Sequence, residues 1–247
     1  MTDVIVQVRE AAKTSSVVNI NWPQRGRASL GYIEGMAVTF GRVYCKLKAS
    51  DPAVIAMATA TTADARRDAL AHYAEQFNAL GMSNATAGID TLRHLFVLMM
   101  GLGMRESSGK HCEGRDMSAD NVTADTCEAG LFQTSFNARS AHPLLRPLFL
   151  AYHANPSGFL DIFKLGVRCT DASLQNFGDG EGRDFQQLSK ECPAFAAEFA
   201  ALGLRNIRAH WGPITRREAE LRQECDELFL KVQQIVDATS GACADLV

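Results

Sequence analysis

Residues 104–137 read MRESSGKHCEGRDMSADNVTADTCEAGLFQTSFN, and the rest of the chain is organised around them. An apolar run at 95–104, LFVLMMGLGM, leads in and is long enough for a buried helix. It stops at Arg105-Glu106-Ser107-Ser108-Gly109, so a carboxylate sits where a core helix meets open, glycine-containing backbone. A loop without apolar periodicity follows, carrying Glu113, Asp116, Asp120, Asp125 and Glu128. The chain turns apolar again at Gly130-Leu131-Phe132-Gln133-Thr134-Ser135. Acid-catalysed cleavage of a glycosidic bond needs one carboxyl desolvated enough to hold its proton and a second that stays ionised. A carboxylate at the end of a buried helix, facing an acidic loop, fits that need, and the stretch reads as an active site.

Composition bounds the remainder. The 247 residues are 47% hydrophobic and 21% charged, which allows a substantial core and excludes a disordered chain. A net charge of −3 gives no general electrostatic grip on nucleic acid or anionic membrane. The longest apolar run is too short to span a bilayer, so no membrane insertion is expected. The opening MTDVIVQVREAAKT lacks a basic region followed by an apolar one, so no secretory signal is expected. None of the seven cysteines forms a CxxC pair, which argues against a zinc ribbon or a thioredoxin-like site. Cys112 and Cys127 bracket the acidic loop. They are either a disulfide that rigidifies it or two ordinary thiols, a choice the redox compartment makes.

Helical periodicity dominates elsewhere. Residues 1–20 read as a helix or a mobile lead-in, and 21–247 as one mainly helical domain. The turn-rich segment 21–30 carries Arg25 and Arg27, read as a solvated loop rather than substrate contacts. Helices are expected at 31–47, from Pro52 with Asp51 as its cap, at 62–80 ending on Gly81, and at 89–104. Others are expected at 142–154, 159–163, 185–202 with Pro193 interrupting or starting it, and 214–237. Sustained period-two alternation is absent, leaving room for one short β-hairpin inside the acidic loop.

The pairing of Arg105-Glu106-Ser107-Ser108-Gly109 with Gly130-Leu131-Phe132-Gln133 resembles the lysozyme-like superfamily, closest to goose-type lysozymes and soluble lytic transglycosylases. The likeness covers 104–137, or 34 of 247 residues. It implies Glu106 as general acid and Gly130, Leu131 and Gln133 as groove lining, with Phe132 where methionine is usual. It also implies a substrate of β-1,4-linked amino sugars, peptidoglycan first and chitin or chitosan next. The acidic loop is longer and richer in carboxylates than in lytic transglycosylases, which favours a hydrolase with a second carboxylate. Asp116 ranks first for that role, Asp120 second and Glu128 third, each set against the alternative of a solvated or ion-paired loop charge. An inverting pair stands roughly 6.5–9.5 Å apart and a retaining one about 5–5.5 Å.

Other groups have weaker cases. Ser107 and Ser108 lack a nucleophile elbow and read as binding or capping residues. Glu128, Gln133, Thr134, Ser135 and Asn137 are candidates for holding sugar hydroxyls or acetamido groups, against local turn chemistry. His111, His142 and His153 show no metal-ligand spacing, and no metal or organic cofactor is implied. Trp211 and Tyr152 read as core anchors rather than sugar platforms. The alternatives are a lytic transglycosylase using Glu106 alone and a non-catalytic carbohydrate-binding protein. A wall-degrading enzyme acts outside the cytoplasm, and the expected lack of a signal makes it an endolysin, an injected effector or a trimmed chain. Oligomeric state is not legible.

Overall fold

The computed structural model describes residues 3–115 and 123–247. Helix α1, Val4–Thr14, is capped by Asp3, whose carboxylate accepts the Ile5 amide at 2.9 Å. It buries Val4, Val8 and Ala12 against the next long helix, so the N-terminal segment is packed structure rather than a mobile lead-in. A 3₁₀ turn, Ser16–Asn19, leads to strands β1, Asn21–Trp22, and β2, Gly26–Arg27, paired antiparallel with Trp22 opposite Gly26. Among the described residues the hairpin therefore lies here, ahead of the acidic loop. The nearest counterpart inside that loop is a single antiparallel bridge between Ala129 and Thr134.

Helix α2, Leu30–Lys48, and α3, Pro52–Met57, follow as expected, the latter with Asp51 accepting the Ala53 and Val54 amides. The amphipathic stretch 62–80 is not one helix. It is a run of turns, then α4, Ala69–His72, and α5, Ala74–Ala79. Local periodicity loses here to polar partners elsewhere. The Asp68 carboxylate accepts the Thr62 and Leu70 amides, and the Tyr73 hydroxyl accepts the Ala219 amide at 3.2 Å.

Helix α6, Ile89–Ser107, crosses the centre with nearly every residue from Thr91 to Met104 buried. After the acidic loop come a 3₁₀ helix, Phe136–Ala141, and α7, Leu145–Ala154, the helix expected over 142–154 starting three residues later. Then follow α8, Leu160–Phe163, α9, Asp171–Leu174, α10, Gly180–Glu191, and α11, Pro193–Leu204, with Pro193 opening the last. Helix α11 is buried on every side, as a helix apolar all round should be. Its one carboxylate, Glu198, is held by Lys46 Nζ at 2.7 Å and the Tyr152 hydroxyl at 2.6 Å, which fixes Tyr152 as a core residue.

The tail is broken where one long helix was expected. A 3₁₀ turn, Arg208–His210, and α12, Gly212–Thr215, end at Arg217, which is left-handed at φ 57°. An irregular strap runs to α13, Gln223–Ala238, and α14, Ala242–Leu246, closes the chain. The strap lies directly on α6: a Cβ built on Gly101 would stand 2.3 Å from the Glu220 carbonyl oxygen. Gly101→Ala is therefore expected to destabilise the fold by about 1–3 kcal/mol, read from denaturant unfolding, because the obstacle is backbone and cannot rotate away.

One disulfide, Cys45–Cys243, ties α2 to α14. The second joins Cys112 to Cys169, so Cys112 bridges across to the segment before α9 and Cys127 stays outside both bonds. Helices α1 and α13 flank α2, while α11 meets α2, α3, α6 and α7, giving one continuous apolar core. Among the described residues no helix is long and apolar enough to cross a membrane.

Candidate active site

Glu106 occupies the last turn of α6 and is only partly exposed. The helix stops immediately after it, because Ser108 is left-handed at φ 55° and the Gly109 amide turns back to the Gly103 carbonyl at 3.1 Å. That reversal closes the helix end without extending it, leaving the Glu106 carboxyl at the mouth of the core. Ser107 fixes the neighbouring turn. Its hydroxyl lies 2.8 Å from the Leu131 carbonyl and 3.1 Å from that of Gly103.

The Gly130–Gln133 turn is thereby clamped to α6. Trp211 clamps it from the other side, its indole N–H donating to the Phe132 carbonyl at 2.9 Å. Gly130 has φ +75°, and a Cβ there would stand 2.6 Å from the Ser189 carbonyl oxygen, so no larger residue fits. The Gln133 side chain folds back on this turn, donating to the Gly130 carbonyl at 3.1 Å. Thr134 and Ser135 are buried, with the Ser135 hydroxyl donating to Asn137 Oδ1 at 2.7 Å. Gln133, Thr134, Ser135 and Ser107 thus shape the turn, and among the sugar-binding candidates Asn137 is exposed.

Burial is the main reason the Glu106 carboxyl is pushed up to about 8, and the negative charge of Glu128 adds to it. Arg216 and Arg25 oppose that rise, and Glu218 contributes to it. Glu128 therefore lies within electrostatic reach of Glu106. Asp116 and Asp120, ranked above it from the sequence, lie outside the described residues. Asp125 instead pairs with Arg139 at 3.0 Å.

Two segments distant in the chain act on Glu106 that its own neighbourhood does not reveal. The β1–β2 hairpin sends the Arg25 guanidinium to the Arg105 carbonyl, and Arg105 reaches back to the Pro23 carbonyl at 3.4 Å. The end of α12 and the strap after it bring Arg216 and Glu218, paired through two contacts of 2.8 and 3.0 Å. That hydrogen-bonded pairing holds the Glu218 carboxyl below its ordinary range, so it stays ionised. On the Gly130–Ser135 side, the Ser135 amide donates to His210 Nε2 at 3.5 Å; His210 stacks edge-on with Trp211, and burial pushes its imidazole down to about 4, leaving it neutral.

The arrangement is thus a carboxyl raised to about 8 at a helix end, with the charges of Glu128, Glu218, Arg25 and Arg216 acting on it. Perturbed groups of this kind mark functional sites when a specific partner accompanies the burial. Sequence reasoning located Glu106 from the helix-to-loop transition. It reads Arg25 as a solvated-loop charge and places Arg216 and Glu218 on the helix expected over 214–237, so neither reading points to Glu106. Comparison with protein-family models, with curated proteins and with solved structures yields no match.

Proposed function

We propose that this chain is a glycoside hydrolase acting on β-1,4-linked amino-sugar polysaccharide, with peptidoglycan the first candidate and chitin or chitosan next. Glu106 serves as the general acid and protonates the leaving glycosidic oxygen. The observation that carries this reading is the Glu106 carboxyl held up to about 8 by burial and Glu128, at the end of a core helix. A carboxyl still protonated near neutral pH can give its proton in the transition state, which ordinary surface carboxylates cannot. Glu128 is the described carboxylate suited to orient a water or stabilise the developing positive charge; Asp116 and Asp120 stay in contention for the same role.

The resemblance of 104–137 to the lysozyme-like superfamily supports the substrate class and a site of action on cell wall or extracellular glycan. Incubating wild type and Glu106→Gln with purified peptidoglycan, chitin and chitosan oligomers, followed by mass spectrometry, tests the proposal. Cleavage by wild type alone supports it, and product mass separates a hydrolysed reducing end from the anhydro sugar of a transglycosylase. Equal cleavage by both proteins would sink it.

Glu128 also has its own test. Its negative charge favours the protonated form of Glu106, so Glu128→Gln is expected to lower the Glu106 pKa. The alkaline limb of the activity profile then moves below its wild-type position near pH 8, in residual activity or in a carboxyl NMR titration. An unmoved limb would show that Glu128 does not act on Glu106.

A further inference from the structure

The acidic loop begins with a cluster that the glycosidase reading does not use. His111 and Cys112 meet Cys169, which is 57 residues beyond Cys112 in the chain, and the three potential ligand atoms lie within 4.8 Å of one another. It is the only such group of histidine, cysteine or carboxylate ligands among the described residues. His111 and Cys112 are buried, and Cys169 is partly exposed.

The imidazole is oriented from behind. His111 Nδ1 lies 2.9 Å from the Lys190 carbonyl oxygen, which can only accept, so Nδ1 carries the proton. Nε2 is left with its lone pair, 3.6 Å from Cys169 Sγ. A carbonyl that fixes the histidine tautomer so that the other nitrogen is free is the usual outer support of a metal-ligating histidine. The separation also fits: bonds of about 2.3 Å to sulfur and 2.05 Å to nitrogen make the tetrahedral N–S edge about 3.6 Å. The Lys190 ammonium is engaged separately by the Ser173 and Gln175 carbonyls at 3.1 and 2.7 Å. Access exists as well. A cavity of about 460 Å³, walled in part by Leu160, Val167 and Leu174, reaches both His111 and Cys169.

We propose that His111, Cys112 and Cys169 form a redox-gated site for a thiophilic divalent cation of the zinc type, closed while the Cys112–Cys169 disulfide stands and opened by its reduction. A phosphine reductant turns the disulfide into two thiols and becomes its oxide, with water supplying the oxygen and both protons. Metal binding then displaces the two thiol protons, and the two sulfurs separate to about 3.8 Å as ligands of one tetrahedral ion. Water takes the fourth position.

The test titrates Co²⁺ into the full chain, reduced with a phosphine under anaerobic conditions, and follows absorption. One Co²⁺ per chain is expected, with a sulfur-to-metal charge-transfer band and tetrahedral d–d bands that Zn²⁺ abolishes. The oxidised chain is expected to take up none. Cys169→Ser should lose the charge-transfer intensity of one thiolate, and His111→Ala, which keeps both thiols, should weaken binding at least about 10-fold. Circular dichroism checks that each variant is folded, and the comparison of oxidised with reduced wild type needs no substitution. Reduced wild type that binds no Co²⁺, or a spectrum and affinity unchanged in both variants, would overturn the proposal.

Discussion

Glu106→Gln is expected to lower kcat/KM on the cleaved glycan by about 10²–10⁴-fold, the usual contribution of a positioned general acid. The same substitution is expected to make the folded protein more stable at alkaline pH. The Glu106 carboxyl titrates near its ordinary 4.5 in the unfolded chain and at about 8 in the folded one. Between those values the native state holds a proton that the unfolded state has released, so wild-type stability falls as pH rises through that window. The penalty is complete above about pH 8 and absent below pH 4.5. Glutamine does not ionise and escapes it, which leaves the variant ahead by on the order of 5 kcal/mol at pH 9 and by little at pH 4. Urea unfolding of both proteins at the two pH values measures this directly. Equal stabilities at pH 9 would mean that Glu106 is an ordinary carboxylate, and the acid role would lose its physical basis. Wild-type activity should fall on the same titration, as pH rises through about 8.

Arg205→Met is expected to be the most destabilising single change away from the site. Arg205 and Asp68 are both buried and meet in two parallel contacts, at 2.9 and 3.0 Å. Removing one member of such a pair strands the other without water, at a cost of about 3–5 kcal/mol. For a chain of this size that is roughly a 6–20 °C drop in Tm. Arg205 also donates to the carbonyls of Met57, Thr59 and Ala60, and Asp68 accepts the amides of Thr62 and Leu70. Adding Asp68→Leu to Arg205→Met should therefore recover only part of the loss, since those backbone groups stay unsatisfied. Full recovery in the double variant, by thermal melting, would show that the backbone bonds contribute little.

The same pair shows why periodicity misled at 62–80. Ala65, Ala69, Leu70, Tyr73 and Phe77 lie at helical spacing, yet Arg205 and Ala219 supply partners that bend the backbone around Asp68 and Tyr73. The strap between Arg217 and Gln223 broke the tail helix for a similar reason, since its backbone packs on Gly101 rather than coiling. Where a helix is buried along its length or capped by its own residues, local reading suffices. Helix α6, helix α2 and the Asp51-Pro52 start of α3 are of that kind.

Sequence alone therefore determined the mainly α class, the buried helix over 95–104 and the position of Glu106 at its end. Each depends on a pattern within one or two helical turns, which a 3.6-residue period makes legible. Tertiary structure decided what acts on Glu106: Glu128 from across the loop, Arg25 from a hairpin some 80 positions earlier, and Arg216 and Glu218 from the end of α12 and the strap after it, about 110 later. It also decided that Cys112 meets Cys169. Charge and desolvation act through space over a few ångströms, and no spacing along the chain reports which distant segments close that distance.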